Sequence, residues 1–404
     1  MARSIILLLL GIATLSVAQD CTWKINGDLP EFQPLYIKPG GSMDIEGFWL
    51  PQSGDVVTVP NGNQVLFACN GNTIVPIGDE EATLTCAGGS NWQDTNGNTY
   101  TFSSLACTTN PTHVARYTGD LCPISGGYRI IEVGFLMSNN DFYKIMELCF
   151  DSVYSDSIYS YFLQTPAIKG VQVGFPRPNF IQGSGFYPSG MGVDTLYTQN
   201  SQRDAVAYSV GSDTLAAQYI QDGTEFYLSR GHETAKADFV YGSHQRATFW
   251  FMNVAPQWQT FNGGNWQTME ANVQVYAGNY GDNLEIYTGI HGDLLLDDIN
   301  GNPVPISLAF DTNDDGVIRA PFLIWKVLYD PVTRLGVAFV GLNNPYYDNP
   351  GSDFYLCPNV CDQITWLTWS PNDQIKGYTY CCEVPALAAQ VPEIPPLSVS
   401  GLLT

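Results

Sequence analysis

Residues 229–270 read SRGHETAKADFVYGSHQRATFWFMNVAPQWQTFNGGNWQTME. Glu225 to Leu228, just ahead, reads as the end of a strand, and small and charged residues then surround His232. The apolar run Arg246 to Met252 predicts a second strand, ending at Asn253. From Asn265 to Ala277, Trp266, Met269, Val273 and Tyr276 recur at spacings of three and four, the period of an amphipathic helix. Strand, loop, strand and helix in that order predict a β-β-α element with His232 in its loop and Glu270 on its helix. Asn262, Trp266 and Glu270 stand at i, i+4 and i+8, so a helix reaching back to Asn262 puts amide and carboxylate along one stripe.

These residue types suit one kind of chemistry. Hydrolysing a phosphodiester needs a base for water, a divalent cation for the charge on phosphorus and leaving oxygen, and cations for the nonbridging oxygens. His232 titrates near neutrality and suits the base. Asn262 offers a hard oxygen to Mg²⁺, which keeps most of its waters. Glu270 is placed to orient those waters, and Arg230 or Arg177 to face phosphate. Spacing alone also fits a plain loop histidine, a turn asparagine and a solvated helix glutamate.

The ordered strings decide between these readings. RGH followed by A-x-A-D, then N-x-x-P-Q, then N-x-G-x-W-x-x-x-E resembles the DNA/RNA non-specific endonuclease family, whose active site is a ββα-metal finger, and within it the arthropod branch of crustacean digestive nucleases. The likeness runs over roughly residues 125–385. It implies an α+β fold: a ββα-metal nuclease domain with a central antiparallel sheet, preceded by a small disulfide-rich β module, as is typical of that branch. It implies His232 as general base, Asn262 as the direct protein ligand of a single hydrated Mg²⁺ (Mn²⁺ substituting), and Glu270 holding a water of that ion. Asn253 and Gln257 would brace the site, and Arg177, in Phe-Pro-Arg-Pro-Asn, falls where the family places a phosphate-contacting arginine. Trp325-Lys326 resembles a core-strand motif. Two positions depart from the bacterial members: Ser229 stands where they carry Asp, and Gln274 where they carry Arg.

Outside the finger, short β-like runs at Leu35–Ile37, Asp55–Val59, Gln64–Ala68 and Ala82–Cys86, broken by Gly, Pro and Asn-Gly, predict the β module over residues 19–124. Tyr128–Phe135, Ile158–Leu163, Leu284–Thr288, Pro303–Phe310 and Leu323–Tyr329 read as strands, and Asp141–Phe150 as helix or strand. Residues 125–385 then form the nuclease domain, and 386–404 a Pro-rich tail, a loose surface strap or disordered. Residues 1–18, with Arg3, an apolar stretch and Ser16-Val17-Ala18, read as a signal peptide, so the chain is expected to be secreted and not held in a membrane. Ten cysteines, six up to Cys149 and four from Cys357, then predict disulfides whose pairing is left open, Cys149 reaching back to the module or the junction.

A formal net charge of −23 works against nucleic acid unless a basic patch and bound metal are concentrated locally. Lys169, Arg177, Arg203, Arg230, Lys236 and Arg246 cluster in the window that holds the finger. The expected activity is therefore a secreted, Mg²⁺-dependent sugar-non-specific endonuclease, cutting DNA, with RNA as a further candidate substrate, to 5′-phosphorylated oligonucleotides. The oligomeric state is unknown from sequence. The competing reading is a secreted binding or structural protein on a decayed nuclease scaffold, but such a scaffold loses His232, Asn262 or Glu270, and all three are present. Asp311-Thr-Asn-Asp-Asp-Gly316 starts like a calcium loop but has Phe322 where the bidentate Glu belongs, which favours a hairpin turn. His113, His244 and His291 are expected to be structural, His244 in a polar turn.

Overall fold

Residues 19–404 are described by a computed structural model, so the leader expected at 1–18 lies outside the described residues. The centre is a nine-stranded sheet. Its order runs Thr379–Cys382, Leu335–Leu342, Pro321–Tyr329, Leu284–Asp293, Asp156–Gln164, Phe142–Asp151, Arg129–Leu136, Val114–Leu121, with every neighbour antiparallel. Gly401–Leu402 adds a parallel strand beside Leu335–Leu342. Residues 141–150, open between helix and strand, are strand: alternate and consecutive positions are both buried, as expected where both sheet faces are covered.

The period-two alternation of the strands separates two cores. On Pro321–Tyr329, Ile324 and Leu328 face the side that carries the helices and the finger, while Leu323, Trp325, Val327 and Tyr329 face the other. That second face is covered by Phe354, Val384, Leu387, Val391 and Ile394. The C-terminal tail is thus packed, not loose: it forms a helix at Val384–Ala388, buries Leu403 and joins the sheet. Its prolines limit its backbone freedom, and its apolar residues find a sheet face to cover, which composition by itself does not disclose.

The N-terminal module has a five-stranded antiparallel sheet over Leu35–Ile37, Gln64–Ala68, Glu81–Cys86, Asn91–Gln93 and Thr99–Thr101. Cys21–Cys86 and Cys69–Cys107 close it, and Cys122–Cys149 ties the residue after the edge strand Val114–Leu121 to Phe142–Asp151, two strands further in. Cys357–Cys382 and Cys361–Cys381 pin the C-terminal loop. Val114–Leu121 belongs to the large sheet although it precedes the change of texture near residue 124. Leu35, Ile37, Phe48 and Ala68 of the module share one apolar core with Ile131, Phe135 and Ile145.

Two helices, Gln199–Val210 and Asp213–Tyr219, were not foreseen; the first is mostly polar, and only Thr198 and Ser212, capping their N-termini, signal them. The strand expected over residues 246–253 is absent. A short helix ends at Arg246, a 3-10 turn spans Phe251–Asn253, and the extended segment is Val254–Trp258. Residues 247–254 are buried throughout, and a continuous apolar run does not distinguish a strand from an irregular buried segment. Asp311–Gly316 is a hairpin turn, with the Asp311 carboxylate accepting from the Asn313 and Asp315 main chain.

His244 is not in a polar turn. It is fully buried at the join between module and large core, against Phe48, Phe135, Phe239 and Tyr241, with neither ring nitrogen hydrogen-bonded. Burial pulls His244 down to about 3, and His113, which accepts a hydrogen bond from Trp250, down to about 4. The unfolded chain therefore binds more protons than the folded one between those values and about 6.5, so stability falls as pH drops through that window. His244→Leu, which removes a titrating ring without breaking a hydrogen bond, is expected to move the acid-unfolding midpoint to lower pH, read by tryptophan fluorescence.

Candidate active site

Leu228–His232 and Val254–Trp258 form a two-stranded antiparallel ladder, registered Leu228↔Trp258, Ser229↔Gln257, Arg230↔Pro256, Gly231↔Ala255 and His232↔Val254. Such a short ladder is marginal by itself, and buried amide side chains support it. Gln202 donates to Leu228 O and accepts from Leu228 N, each at 2.8 Å, taking the place of a neighbouring strand. Asn343 accepts from Trp258 N at 2.8 Å and donates to Pro256 O at 3.0 Å and Pro321 O at 2.9 Å, tying the finger to the central sheet.

Asn253 controls the loop between the strands. Fully buried, it accepts from Thr234 N at 3.0 Å and donates to the carbonyls of Thr234 at 2.8 Å and Thr248 at 2.9 Å. The loop also sits on a polar row across the sheet, where Ser160, Thr288 and Lys326 are successive cross-strand partners. Thr234 donates to Ser160 at 2.9 Å, Ser157 to Glu233 at 2.9 Å, and Lys326 to Thr288 at 2.7 Å.

The third part of the finger departs from the expected stripe. The helix runs Gln267–Tyr280, preceded by an irregular turn over Asn262–Trp266 in which Gly264 leaves helical geometry at φ −100°, ψ −117°. The break lets the Lys376 main chain lie where a Gly264 side chain would stand. Asn265 fastens this arrangement, donating to Ser370 O and Gly377 O at 2.8 and 2.6 Å and accepting from Ser370 N at 2.8 Å. Trp266 consequently points into the core with Met269, Val273 and Ala277, while Asn262 and Glu270 reach the opposite, open side.

That open side is a cleft of about 700 Å³ whose lining includes Arg177, Arg230, His232, Lys236, Asn262 and Glu270. Five of the seven residues singled out from the sequence therefore meet in one place. The other two, Asn253 and Gln257, lie buried behind it. Gln257 braces through its main chain, its carbonyl accepting from the Ser229 hydroxyl at 2.8 Å, and through its bulk. A Cβ on Gly231 would stand 2.0 Å from Gln257 Oε1, which is why the residue before His232 is glycine.

Within the cleft, His232 lies between Phe180 and Phe249, ring centroids 5.1 and 4.9 Å away. Its Nε2 is sealed from solvent without a partner, leaving Nδ1 as the nitrogen open to the cleft. Burial first, then the nearby Arg177 charge, pull the imidazole down to about 3, so it is neutral at physiological pH. Arg177 is exposed, stacks over Phe249 at 5.2 Å and has no ion pair among the described residues. Arg230 is instead committed: it pairs with Asp194 at 2.6 Å and lies over the rings of Phe180, Tyr197 and Phe251. Of the two candidate arginines, the geometry thus leaves Arg177 free to meet an anion.

Asn262 Nδ2 donates to Ser229 Oγ at 3.1 Å, and its Oδ1 makes no hydrogen bond among the described residues. Burial pushes the Glu270 carboxyl up to about 8, opposed by the buried Lys326 charge and reinforced by Asp238. Gln274 lines the cleft and donates to Asp238 at 3.4 Å. No group of three or more His, Cys, Asp or Glu side chains is placed to cage a metal among the described residues. An uncommitted amide oxygen and an unpaired carboxylate fit a hard cation that keeps most of its water, and not a caged zinc.

The cleft's aromatic wall, Phe180, Tyr197 and Tyr227, escaped the sequence reading, because residues so far apart in the chain show no shared pattern. Lys326, the lone cation of the apolar run PFLIWKVLY and part of the core-strand motif the sequence suggests, is buried and donates to Thr288.

Residues 126–387 match the family described as DNA/RNA non-specific endonuclease. A salivary endonuclease of Lutzomyia longipalpis is 28% identical over 360 residues, spanning 87% of this chain and 78% of that protein. Salivary protein Tsal2A of Glossina morsitans morsitans is 24% identical, over 96% of this chain and 95% of its own length. Among solved structures, a chain of the EndoG/EndoGI complex shares 21% identity over 52% of this chain and 76% of its own, with a TM-score of 0.34.

Asn253→Ala orphans one buried N–H and two buried carbonyls at once. At about 1–3 kcal/mol for each group, urea denaturation is expected to show a loss of about 3 kcal/mol or more, with cleavage lost in parallel. A variant as stable as the parent would mean that the loop holds itself without this side chain.

Proposed function

This chain belongs to the DNA/RNA non-specific endonuclease family, and we propose that it is a secreted, Mg²⁺-dependent enzyme that cuts DNA, with RNA as a further substrate, to 5′-phosphorylated oligonucleotides. The observation that carries this reading is the meeting of His232, Asn262, Glu270 and Arg177 in one cleft. The salivary relatives and the five disulfides support an extracellular setting.

His232 takes the proton of the attacking water on Nδ1. Its low pKa has a cost, since a weaker base drives proton transfer less, and a benefit, since the imidazole is unprotonated across the whole neutral range. Phe180 and Phe249 hold the ring and keep solvent from Nε2. Arg177 binds a nonbridging phosphate oxygen, and Phe249 lies against both Arg177 and His232. Asn262 Oδ1 and the Glu270 carboxylate would hold the hydrated Mg²⁺, or Mn²⁺ in its place, Asn262 directly and Glu270 through its water. That ion supplies positive charge to the phosphate and the leaving oxygen. The acidity of the rest of the chain keeps background affinity for polyanions low, which favours turnover.

Digestion of plasmid DNA and of RNA, with and without EDTA, tests the reading. EDTA is expected to abolish cleavage, and His232→Ala to lower kcat by about 10²–10⁴-fold, the range for loss of a general base. Full cleavage by that variant would remove His232 from the mechanism, and cleavage in EDTA would remove the metal. Arg177→Ala is expected to raise KM and reduce the steepness of the salt dependence, because one phosphate contact is lost.

The pH behaviour is specific too. With Glu270 at about 8 in the metal-free chain, cation and proton compete for it. Apparent Mg²⁺ affinity is expected to rise as pH goes from 6 to 8, approaching tenfold per unit at the acid end. In Glu270→Gln the titration should flatten while affinity falls.

A further inference from the structure

We propose that the Ser229 hydroxyl is the positioning group that decides which atom of the Asn262 carboxamide faces the cleft. The argument is one of proton inventory. A serine hydroxyl has one proton to give and lone pairs to accept with. Ser229 stands directly opposite Gln257 in the ladder, and its proton goes to the Gln257 main-chain carbonyl at 2.8 Å. Toward Asn262, 3.1 Å away, Oγ can then only accept. The carboxamide has one end that donates, Nδ2, so Nδ2 turns to Ser229 and Oδ1 is left for the cleft.

A rotated amide would set its oxygen against an oxygen that has no proton for it, and would present to the cleft an NH₂ group, which cannot ligate a divalent cation. The selection is built into the backbone: the carbonyl that takes the serine's proton belongs to the ladder itself, and Asn343 and Asn253 hold that ladder in place. The inference rests on the proposed role of Asn262 and deepens it. It also says what an aspartate at position 229 would change. A carboxylate there can still accept from Nδ2, but it has no proton for the Gln257 carbonyl and faces it oxygen to oxygen, while adding a negative charge beside the cation. Serine orients the amide without adding that charge.

The test is Mn²⁺ binding to the whole protein without substrate, followed by the electron paramagnetic resonance of free Mn²⁺, with melting temperature and cleavage kinetics on the same samples. Ser229→Ala is expected to weaken Mn²⁺ binding about tenfold, as loss of a group that orients a metal ligand does. It should raise the Mg²⁺ concentration for half-maximal cleavage equally while KM for nucleic acid and the melting temperature stay near the parent's. Ser229→Thr, which keeps one proton and the acceptor pairs, is expected to restore both metal values. Unchanged binding in Ser229→Ala, alongside lost binding in Asn262→Ala, overturns the role of Ser229 and leaves the metal site standing. Equal loss in Ser229→Ala and Ser229→Thr overturns it also. Parent-like binding in Asn262→Ala sinks the metal reading itself, and this proposal with it.

Discussion

The site depends on a ladder of five residue pairs that does not stand by itself. Leu228–His232 and Val254–Trp258 carry His232 at one end and Ser229 near the other, and the alternation of the strands decides what each faces. One step of slippage would turn His232 away from the cleft. Three buried amide side chains prevent it. Gln202 occupies the outer edge, Asn343 ties the inner strand to the sheet, and Asn253 closes the loop. Carboxamides suit this work because they donate and accept at once, and they satisfy main-chain groups without bringing a charge into the core.

Beneath the finger the problem is reversed, because charge is buried there. Glu233, Asp238 and Glu270 lie around a single buried ammonium, Lys326. Burial pushes Glu233 and Glu270 up to about 8, so at neutral pH both largely retain protons and the lysine does not face three full carboxylates. The divalent cation proposed for the cleft would reverse that balance for Glu270. The same low-dielectric surroundings that raise its pKa would make its ionised form a stronger partner for that cation.

Legibility from sequence followed the range of the interactions. Strands with alternating or continuous apolar runs were readable, as was the finger helix, because its seam is written in three- and four-residue steps. Residues 246–253 carry the apolar run of a strand, yet the burial of 247–253 comes from all sides. The polar helix Gln199–Val210 went unseen because what holds it includes Gln202, bonded to a strand 26 residues on. The tail's composition suggests a loose strap because its apolar residues are dispersed among prolines, while their partners lie on a sheet face formed by distant strands.

His232, Asn262 and Glu270 stand out in the sequence as candidates through a resemblance of ordered motifs, since their types and spacing alone also fit a loop, a turn and a helix surface. Whether they meet was beyond the sequence. The expected regular stripe from Asn262 to Glu270 is broken at Gly264, and the residues come together because Asn265 and the Lys376 main chain fix that break. The division of labour between Arg177 and Arg230 was likewise a tertiary matter: Asp194, 36 residues away, neutralises one and leaves the other free. Sequence determined which reactive groups this chain owns. Tertiary structure decided which atoms of those groups remain uncommitted, because hydrogen bonds and ion pairs between distant segments use up the rest.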